Sequence, residues 1–154
     1  MKTAIKVVIG LSFLLYAFVM IMLLFFDYRG TMGNGLSFFE YVKSSSNFVP
    51  FDTIRTYLQV MLNGSMNRDI PIKNLAGNII LFIPIGIYLP FFMGRARKLG
   101  AALLFMMLIL LLIESIQLVT RRGVFDIDDF FLNMSGALIG FAIWRIKIVQ
   151  KWLT

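Results

Sequence analysis

The chain has 154 residues, contains neither cysteine nor histidine, and carries a formal net charge of +7. Its residues are 59% hydrophobic and its mean hydropathy is +0.84, whereas soluble domains are about 45–50% apolar. The high apolar content indicates an integral membrane protein. The absence of cysteine and histidine excludes disulfides, thiolate chemistry and a histidine base, so any acid–base or metal chemistry must use carboxylates.

Four segments predict transmembrane helices, because each approaches the roughly 20 mostly apolar residues that a membrane span needs. The first follows Lys2 and Lys6 as a signal peptide would, but no small-residue cleavage site follows it, so we interpret it as a retained helix. In the second, Pro84 and Pro90 predict a kink at the first proline and an end near the second. The predicted fold is all-α, a single domain over 1–154. Its predicted spans are 7–26, 75–92, 99–119 and 130–149.

The distribution of charge predicts the orientation of this bundle. With both termini in the cytoplasm, the cytoplasmic segments carry eight Lys and Arg residues and no acid, whereas the outer segments carry seven Lys and Arg residues and all eight acids. Cytoplasmic loops of membrane proteins are enriched in Lys and Arg. The basic composition therefore indicates topology, and we expect no nucleic-acid partner.

The first external loop, 27–74, contains one segment with a helical pattern, at about 52–62. Its apolar residues form one stripe, Asp52 could cap its start, and Asn63-Gly64 ends it. Such a helix would lie on the outer membrane surface, either as a packing lid or as a cover for a substrate. Gly30–Gly35 predicts a flexible turn.

Polar side chains from the last three predicted spans converge near their outer ends. Glu114 lies about five residues, roughly 7–8 Å, below the end of its helix. Asn74 and Asn78 are four residues apart on another helix. An acid at membrane depth is costly, which makes Glu114 the strongest functional candidate. The predicted ligand-binding residues are Asn78, Glu114, Gln117, Arg121, Arg122, Asp126, Asp128, Asp129 and Asn133.

The charged residues of the loop between the last two spans also have structural interpretations. Asp128 or Asp129 could cap the fourth span, where an acid stabilises the helix N-terminus. Arg121 and Arg122 could extend to the membrane interface, or either could pair with Glu114 inside the protein. These alternatives stay open from the sequence.

The polar and small residues inside the spans have structural interpretations as well. Asn78 could hydrogen-bond a neighbouring helix. Gly136 and Gly140 form a GxxxG pair, which is typical of a close contact between membrane helices.

Several kinds of chemistry are open to the carboxylates. The catalytic candidates are Glu114, as a general acid or base, and Asp126 and Asp129. With Asp128, the last two could bind Mg²⁺ or Ca²⁺. The loop lacks a known metal-ligand spacing, so we predict no metal and no cofactor. GxSxG, nucleotide-loop and HExxH motifs are absent, which argues against standard hydrolases and ATPases.

Four motif segments occur in order over about 47–140. They are Asn47-Phe-Val-Pro-Phe51, Asn78-Ile-Ile-Leu-Phe-Ile-Pro-Ile-Gly86, Glu114-Ser-Ile-Gln117, and Phe125-Asp-Ile-Asp-Asp129 followed by Asn133 and Gly136. In these segments the chain resembles the VanZ-like family. The resemblance implies a four-helix bundle in a bacterial cytoplasmic membrane with a role in the cell envelope, and it associates the family with resistance to teicoplanin, a lipid-bearing glycopeptide antibiotic.

Three functions remain open. The first is envelope protection from glycopeptide antibiotics, by engaging an amphiphile at the outer polar site. The second is a membrane-embedded enzyme, with Glu114 as acid or base, Arg121 or Arg122 binding an anion, and Asn78 and Asn133 orienting the substrate. The third is a partner subunit or small transporter, which the apolar middle of the third span disfavours. Expected partners are membrane lipids and either a lipid-bearing glycopeptide or a cell-wall lipid intermediate, and a homo-oligomer remains an alternative.

Overall fold

The computed structural model describes residues 2–26, 35–64 and 67–153. Almost all of the described secondary structure is helical, as predicted, and two very short strands pair with each other. The predicted flexible turn at 30–35 lies outside the described residues except for its last position. The helices are α1 Lys2–Ile21, α2 Phe38–Ser44, α3 Asp52–Asn63, α4 Asp69–Phe92, α5 Leu99–Val119, α6 Ile127–Arg145 and α7 Lys147–Leu153, and the strands are β1 Ser46–Asn47 and β2 Phe125–Asp126.

Four helices are long and apolar enough to cross a membrane, which confirms the predicted all-α bundle of four spans. Their outward faces are rich in large apolar side chains, as lipid-facing surfaces are. The chain is therefore a multi-pass membrane protein. The four spans are Thr3–Phe26, Asp69–Phe92, Leu99–Val119 and Ile127–Arg145, the first of them continuing α1 through a π-helical turn at Met22–Phe26.

The helix α4 begins six residues before the predicted start at 75 and continues past both prolines to Phe92. The Asn67 side chain accepts a hydrogen bond from the Asp69 N–H at 3.0 Å, which satisfies one of the free amides at this helix start. Pro71 falls in the first turn, where a missing N–H is tolerated. The extra turns carry polar residues, which is why hydropathy alone placed the start too late.

The last span is shifted towards the N-terminus relative to the predicted 130–149, since α6 runs over Ile127–Arg145. The backbone leaves the helical region at Ile146 (ψ 124°), and the chain then turns into the separate helix α7. The basic residues Arg145 and Lys147 flank this break.

The centre of the bundle is a close contact between α4 and α6, which are not neighbours in the chain. Glycines make the approach possible. A Cβ on Gly136 would collide with the Ile79 carbonyl oxygen, and one on Gly140 with the Ile83 carbonyl oxygen. A Cβ on Gly86 of α4 would equally collide with α6 backbone. The predicted role of the GxxxG pair as a helix contact is confirmed.

The first span is attached to this centre more loosely than the others. Only 6% of its most apolar window is buried, against 28–39% for the other three spans. Three hydrogen bonds among the described residues connect it to the other spans: the Tyr16 hydroxyl donates to the Leu81 carbonyl at 2.7 Å, the Tyr88 hydroxyl to the Ser12 hydroxyl at 3.1 Å, and the Gln117 side chain to the Leu24 carbonyl at 3.0 Å. Most of its surface is therefore available to lipid.

Candidate functional site

The site lies at the end of the bundle where the α5–α6 loop meets the segment from α2 to α3. Asp126 ends β2 and is the N-cap of α6, because its carboxylate accepts the Asp128 N–H at 2.9 Å. Its second oxygen accepts the Thr53 hydroxyl at 2.6 Å, and Thr53 in turn accepts an amide hydrogen of Asn47. The N-cap of the fourth span is thus Asp126, so the structural alternative in which Asp128 or Asp129 caps this span is wrong.

Asp128 caps a different helix, α3. Its side chain is fully buried, and its two oxygens accept the N–H groups of Phe51 at 2.6 Å and Ile54 at 3.1 Å. A carboxylate at this position satisfies free amides of the first turn and also interacts favourably with the helix dipole. The predicted capping by Asp52 is wrong, since Phe51 is the N-cap residue of α3, its side chain makes no capping hydrogen bond, and Asp52 is exposed in the first turn.

The chain at Phe51 adopts a left-handed backbone conformation with φ 65°, which is unfavourable for a bulky residue. The hydrogen bond to Asp128 and the stacking of its ring on Phe131, with ring centroids 5.8 Å apart, stabilise this conformation. The pairing of Ser46–Asn47 with Phe125–Asp126 completes the junction. Two of the motif segments that carry the family resemblance therefore meet in space and tie α3 to α6.

Asp129, one residue further on, faces the membrane spans. Its Oδ1 accepts a hydrogen bond from the buried Asn78 side chain of α4 at 2.5 Å. This is a charge-assisted contact if the carboxyl is ionised, and such contacts are stronger than neutral ones. The predicted alternative for Asn78, a hydrogen bond to a neighbouring helix, is confirmed with Asp129 as the partner.

Glu114 and Asn133 are both buried inside their helices, with 3% of each exposed. Glu114 lies five residues before the end of α5 and Asn133 six residues after the start of α6, which places both within roughly 7–9 Å of the same end of the bundle. Among the described residues, the Asn133 Oδ1 has no hydrogen-bond donor, and neither has the buried Oδ1 of Asn74. These two oxygens could accept hydrogen bonds from a ligand.

Gln117 and Arg121 hold neighbouring segments together. Besides its hydrogen bond to the first span, Gln117 packs against Gly123, whose carbonyl accepts the buried Tyr41 hydroxyl at 2.7 Å. Arg121 follows the end of α5 in a left-handed backbone conformation, with φ 54°. Its guanidinium lies 5.2 Å from the centre of the Tyr41 ring and donates a hydrogen bond to the Leu36 carbonyl at 3.2 Å. Both predicted residues therefore contact α2 or the first span.

The predicted site residues fall into two groups. Among the described residues, no three acidic side chains come together as a metal site would require. Arg122 is exposed on the loop surface. The first group lies at the loops and consists of Gln117, Arg121, Arg122, Asp126 and Asp128. The second group lies between the membrane spans, and we call it the polar cluster; it consists of Asn78, Glu114, Asp129 and Asn133.

Two structural contributors, Tyr41 and Thr53, were not among the predicted residues. The helix α2, which positions Tyr41, begins with a capping box in which Ser37 and Glu40 bond each other's backbone, and a Ser-x-x-Glu sequence is a readable signal for it. The hydrogen bond from Ser37 lowers the pKa of the exposed Glu40 carboxyl from its ordinary value. For Thr53 the sequence offers no comparable signal.

Comparison with protein-family models identifies a family for this chain. The model of the VanZ/LLP1 family matches residues 13–149, nearly the whole chain. Comparison with curated proteins and with solved structures gives no significant match.

Proposed function

The chain belongs to the VanZ/LLP1 family, and from this premise we propose that it protects the bacterial envelope from lipid-bearing glycopeptides such as teicoplanin by binding an amphiphile at the outer leaflet. The ligand would be the antibiotic itself or a cell-wall lipid intermediate. The observation that carries the proposal is the polar cluster, of which Asn78, Glu114 and Asn133 are buried near one end of the membrane spans. Polar groups at this depth are costly and are typical of functional sites.

The chemistry of the polar cluster suits a ligand rich in hydroxyl and amide groups. Asn133 presents a buried acceptor without a donor among the described residues, and a buried acceptor gains about 1–3 kcal/mol when a donor satisfies it. The sugar and peptide parts of glycopeptides and of cell-wall lipid intermediates carry such donors. Their hydrocarbon tails would lie along the apolar faces of the spans.

The amphipathic helix α3 supports the same proposal, because it lies at the end of the bundle that holds the polar cluster. It exposes Leu58 and Leu62 while Asp128 holds its first turn against α6. A helix of this kind lies in the plane of the membrane interface. We propose that it covers the polar head of the bound amphiphile.

The test is drug tolerance in cells that produce the full chain. We expect Glu114→Gln and Asn133→Ala each to reduce the minimal inhibitory concentration of teicoplanin to that of cells without the protein, with the amount of membrane-inserted protein unchanged. Ser115→Ala and Ser135→Ala are matched controls, since both side chains are exposed on the same two helices and bond only to their own helix. Unchanged tolerance in both site variants would contradict the proposal.

A second candidate function is a membrane-embedded enzyme acting on a lipid-linked substrate. It is favoured by the presence of two carboxyl groups, Glu114 and Asp129, near one end of the bundle, the second held by Asn78. Asp126 and Asp128 fit this function less well, because capping and the Thr53 hydroxyl engage them. Mass spectrometry of envelope lipids decides: a modified lipid present with the natural chain and absent with Glu114→Gln supports the enzyme, and identical lipids exclude it.

A further inference from the structure

The opposite end of the bundle carries a cleft that the proposed function does not use. It measures about 470 Å³ and is lined by Arg97, Trp144, Arg145, Lys147 and Gln150. These residues come from the 3₁₀ turn before α5, the end of α6 and the start of α7. The backbone break at Ile146 lies between two of the lining residues, Arg145 and Lys147.

A second cleft of about 300 Å³ shares one wall with the first. Its lining residues are Lys6, Phe91, Phe92, Arg97 and Leu153, so Arg97 stands between a basic cleft and a more apolar one. The two clefts together offer positive charge on one side and aromatic and aliphatic surface on the other.

No acidic residue lies close to Arg97 along the chain. The nearest acid to Arg97 along the chain is Glu114, 17 residues away and near the far end of α5. Each of the spans is about 30 Å long, so attraction across the bundle is screened in water and weak. The lining cations Arg97, Arg145 and Lys147 are exposed and can therefore attract an anion from outside the protein.

The orientation of Arg97 is already set for such a partner. Its guanidinium lies 5.8 Å from the centre of the Trp144 ring, and its Nε donates to the Pro90 carbonyl at 3.4 Å. Its other N–H groups have no acceptor among the described residues. A guanidinium presents donors in a planar fork that matches a phosphate, and a fixed one loses little entropy on binding.

We propose that this pair of clefts binds an anionic phospholipid. Its phosphate would lie between Arg97, Arg145 and Lys147, and the part of an acyl chain nearest the headgroup would lie against Phe91 and Phe92. Tryptophan is enriched at membrane interfaces, and basic pockets between spans are typical sites for anionic headgroups. The proposal does not depend on the polar cluster or on its function. A free phosphate would use the same cations, but it would leave the apolar cleft without an occupant.

The experiment uses the quenching of tryptophan fluorescence by brominated lipids. The chain has two tryptophans, so Trp152→Phe leaves Trp144 in the cleft as the only reporter. The full chain is reconstituted in phosphatidylcholine vesicles, and brominated phosphatidylglycerol or brominated phosphatidylcholine is titrated in. We expect phosphatidylglycerol to be preferred about tenfold or more, since Lys and Arg residues near the membrane surface attract anionic lipids.

Matched triple variants separate a site from general surface charge. The triple Arg97→Gln, Arg145→Gln and Lys147→Gln should abolish the preference. The control triple Arg95→Gln, Lys98→Gln and Lys151→Gln removes the same charge from residues that line neither cleft, and it should keep the preference within about twofold. The single variants Arg145→Gln and Lys147→Gln, each expected to weaken the preference severalfold, decide the matter if the first triple fails to fold.

Three results would overturn the proposal. The control triple could lose as much preference as the cleft triple, which would indicate general surface attraction. The protein with unchanged cleft residues could show no preference between phosphatidylglycerol and phosphatidylcholine. Finally, a large excess of inorganic phosphate could abolish the preference, which would indicate a site for free phosphate.

Discussion

At the residue scale, the three carboxylates at the start of α6 have three different tasks although they lie within four positions. Asp126 caps α6, Asp128 caps α3, and Asp129 accepts from Asn78 inside the bundle. Their backbone geometry explains the difference, since successive residues around a helix start point in different directions. A single acidic motif thus joins a loop, a surface helix and a membrane span.

The capping role of Asp128 predicts a loss of stability when its second acceptor is removed. Asp128→Asn leaves one oxygen for the two N–H groups, so a partly buried donor loses its partner and the free energy of unfolding should fall by about 1 kcal/mol or more. Unfolding by SDS in mixed micelles measures it. Asp52→Asn on the same helix, whose side chain is exposed, should cost less than about 0.5 kcal/mol at high salt. Equal losses in the two variants would contradict the capping role.

At the element scale, the contact between α4 and α6 depends on glycines that let the two backbones touch. Membrane helices have little hydrophobic drive to associate, because lipid is as apolar as their side chains, and close packing replaces it. The same contact brings Asn78 and Asp129 together. The packing of the spans and the geometry of the polar cluster are therefore parts of one interface.

This interface predicts opposite effects for glycines on the same helix. Gly86→Ala should destabilise the protein by about 1–3 kcal/mol, because the new methyl group would overlap α6 backbone. Gly77→Ala is the matched control on α4: a methyl group there meets no described atom within 4 Å, and removing a helical glycine stabilises by about 0.5–1 kcal/mol. Unfolding by SDS compares them, and a neutral Gly86→Ala would mean that the helices do not approach so closely.

The helix α2 predicts a local dependence on pH. Because the folded-state pKa of Glu40 lies below its ordinary value, its contribution to stability is complete above the ordinary value and is lost as the pH falls through the lowered one. Hydrogen exchange should therefore show that the protection factors of α2 amides decrease in the acid range. Ser37→Ala removes the side-chain hydrogen bond, the larger of the two that lower the pKa, and leaves the backbone one, so it should weaken this dependence. Equal pH profiles for the two proteins would contradict it.

At the scale of the whole molecule, the membrane spans could be predicted from the sequence, whereas the contacts that join the start of α6 to α3 and β1 could not. Each span is a continuous apolar stretch, so its signal is local, and even the helical stripe of α3 could be read from the sequence. The contacts of Asp128 join residues more than 70 positions apart, and the pairing of Ser46 with Phe125 is equally distant. Those contacts hold Asp126 and Asp128 at the loops, away from the polar cluster, and no pattern in the neighbouring sequence predicts this placement.

The orientation of the molecule stays a prediction from its charge distribution. The chain has no cysteine, so single cysteines report without background. Arg122→Cys, exposed on the α5–α6 loop, should react with a membrane-impermeant thiol reagent in intact cells. Arg95→Cys, exposed at the other end, should react only after permeabilisation. The reverse pattern would place the polar cluster at the cytoplasmic face and exclude the proposed binding of an external antibiotic.

The pairing of α4 with α6 also constrains how the chain is made. Since α5 is synthesised between them, α4 enters the bilayer before its main partner exists, with Asn78 and its glycines facing lipid. Only when α6 leaves the ribosome can Asp129 accept from Asn78 and the glycine surfaces close. A chain truncated before α6 would therefore leave Asn78 without its carboxylate partner in the bilayer, where an unsatisfied polar group is costly.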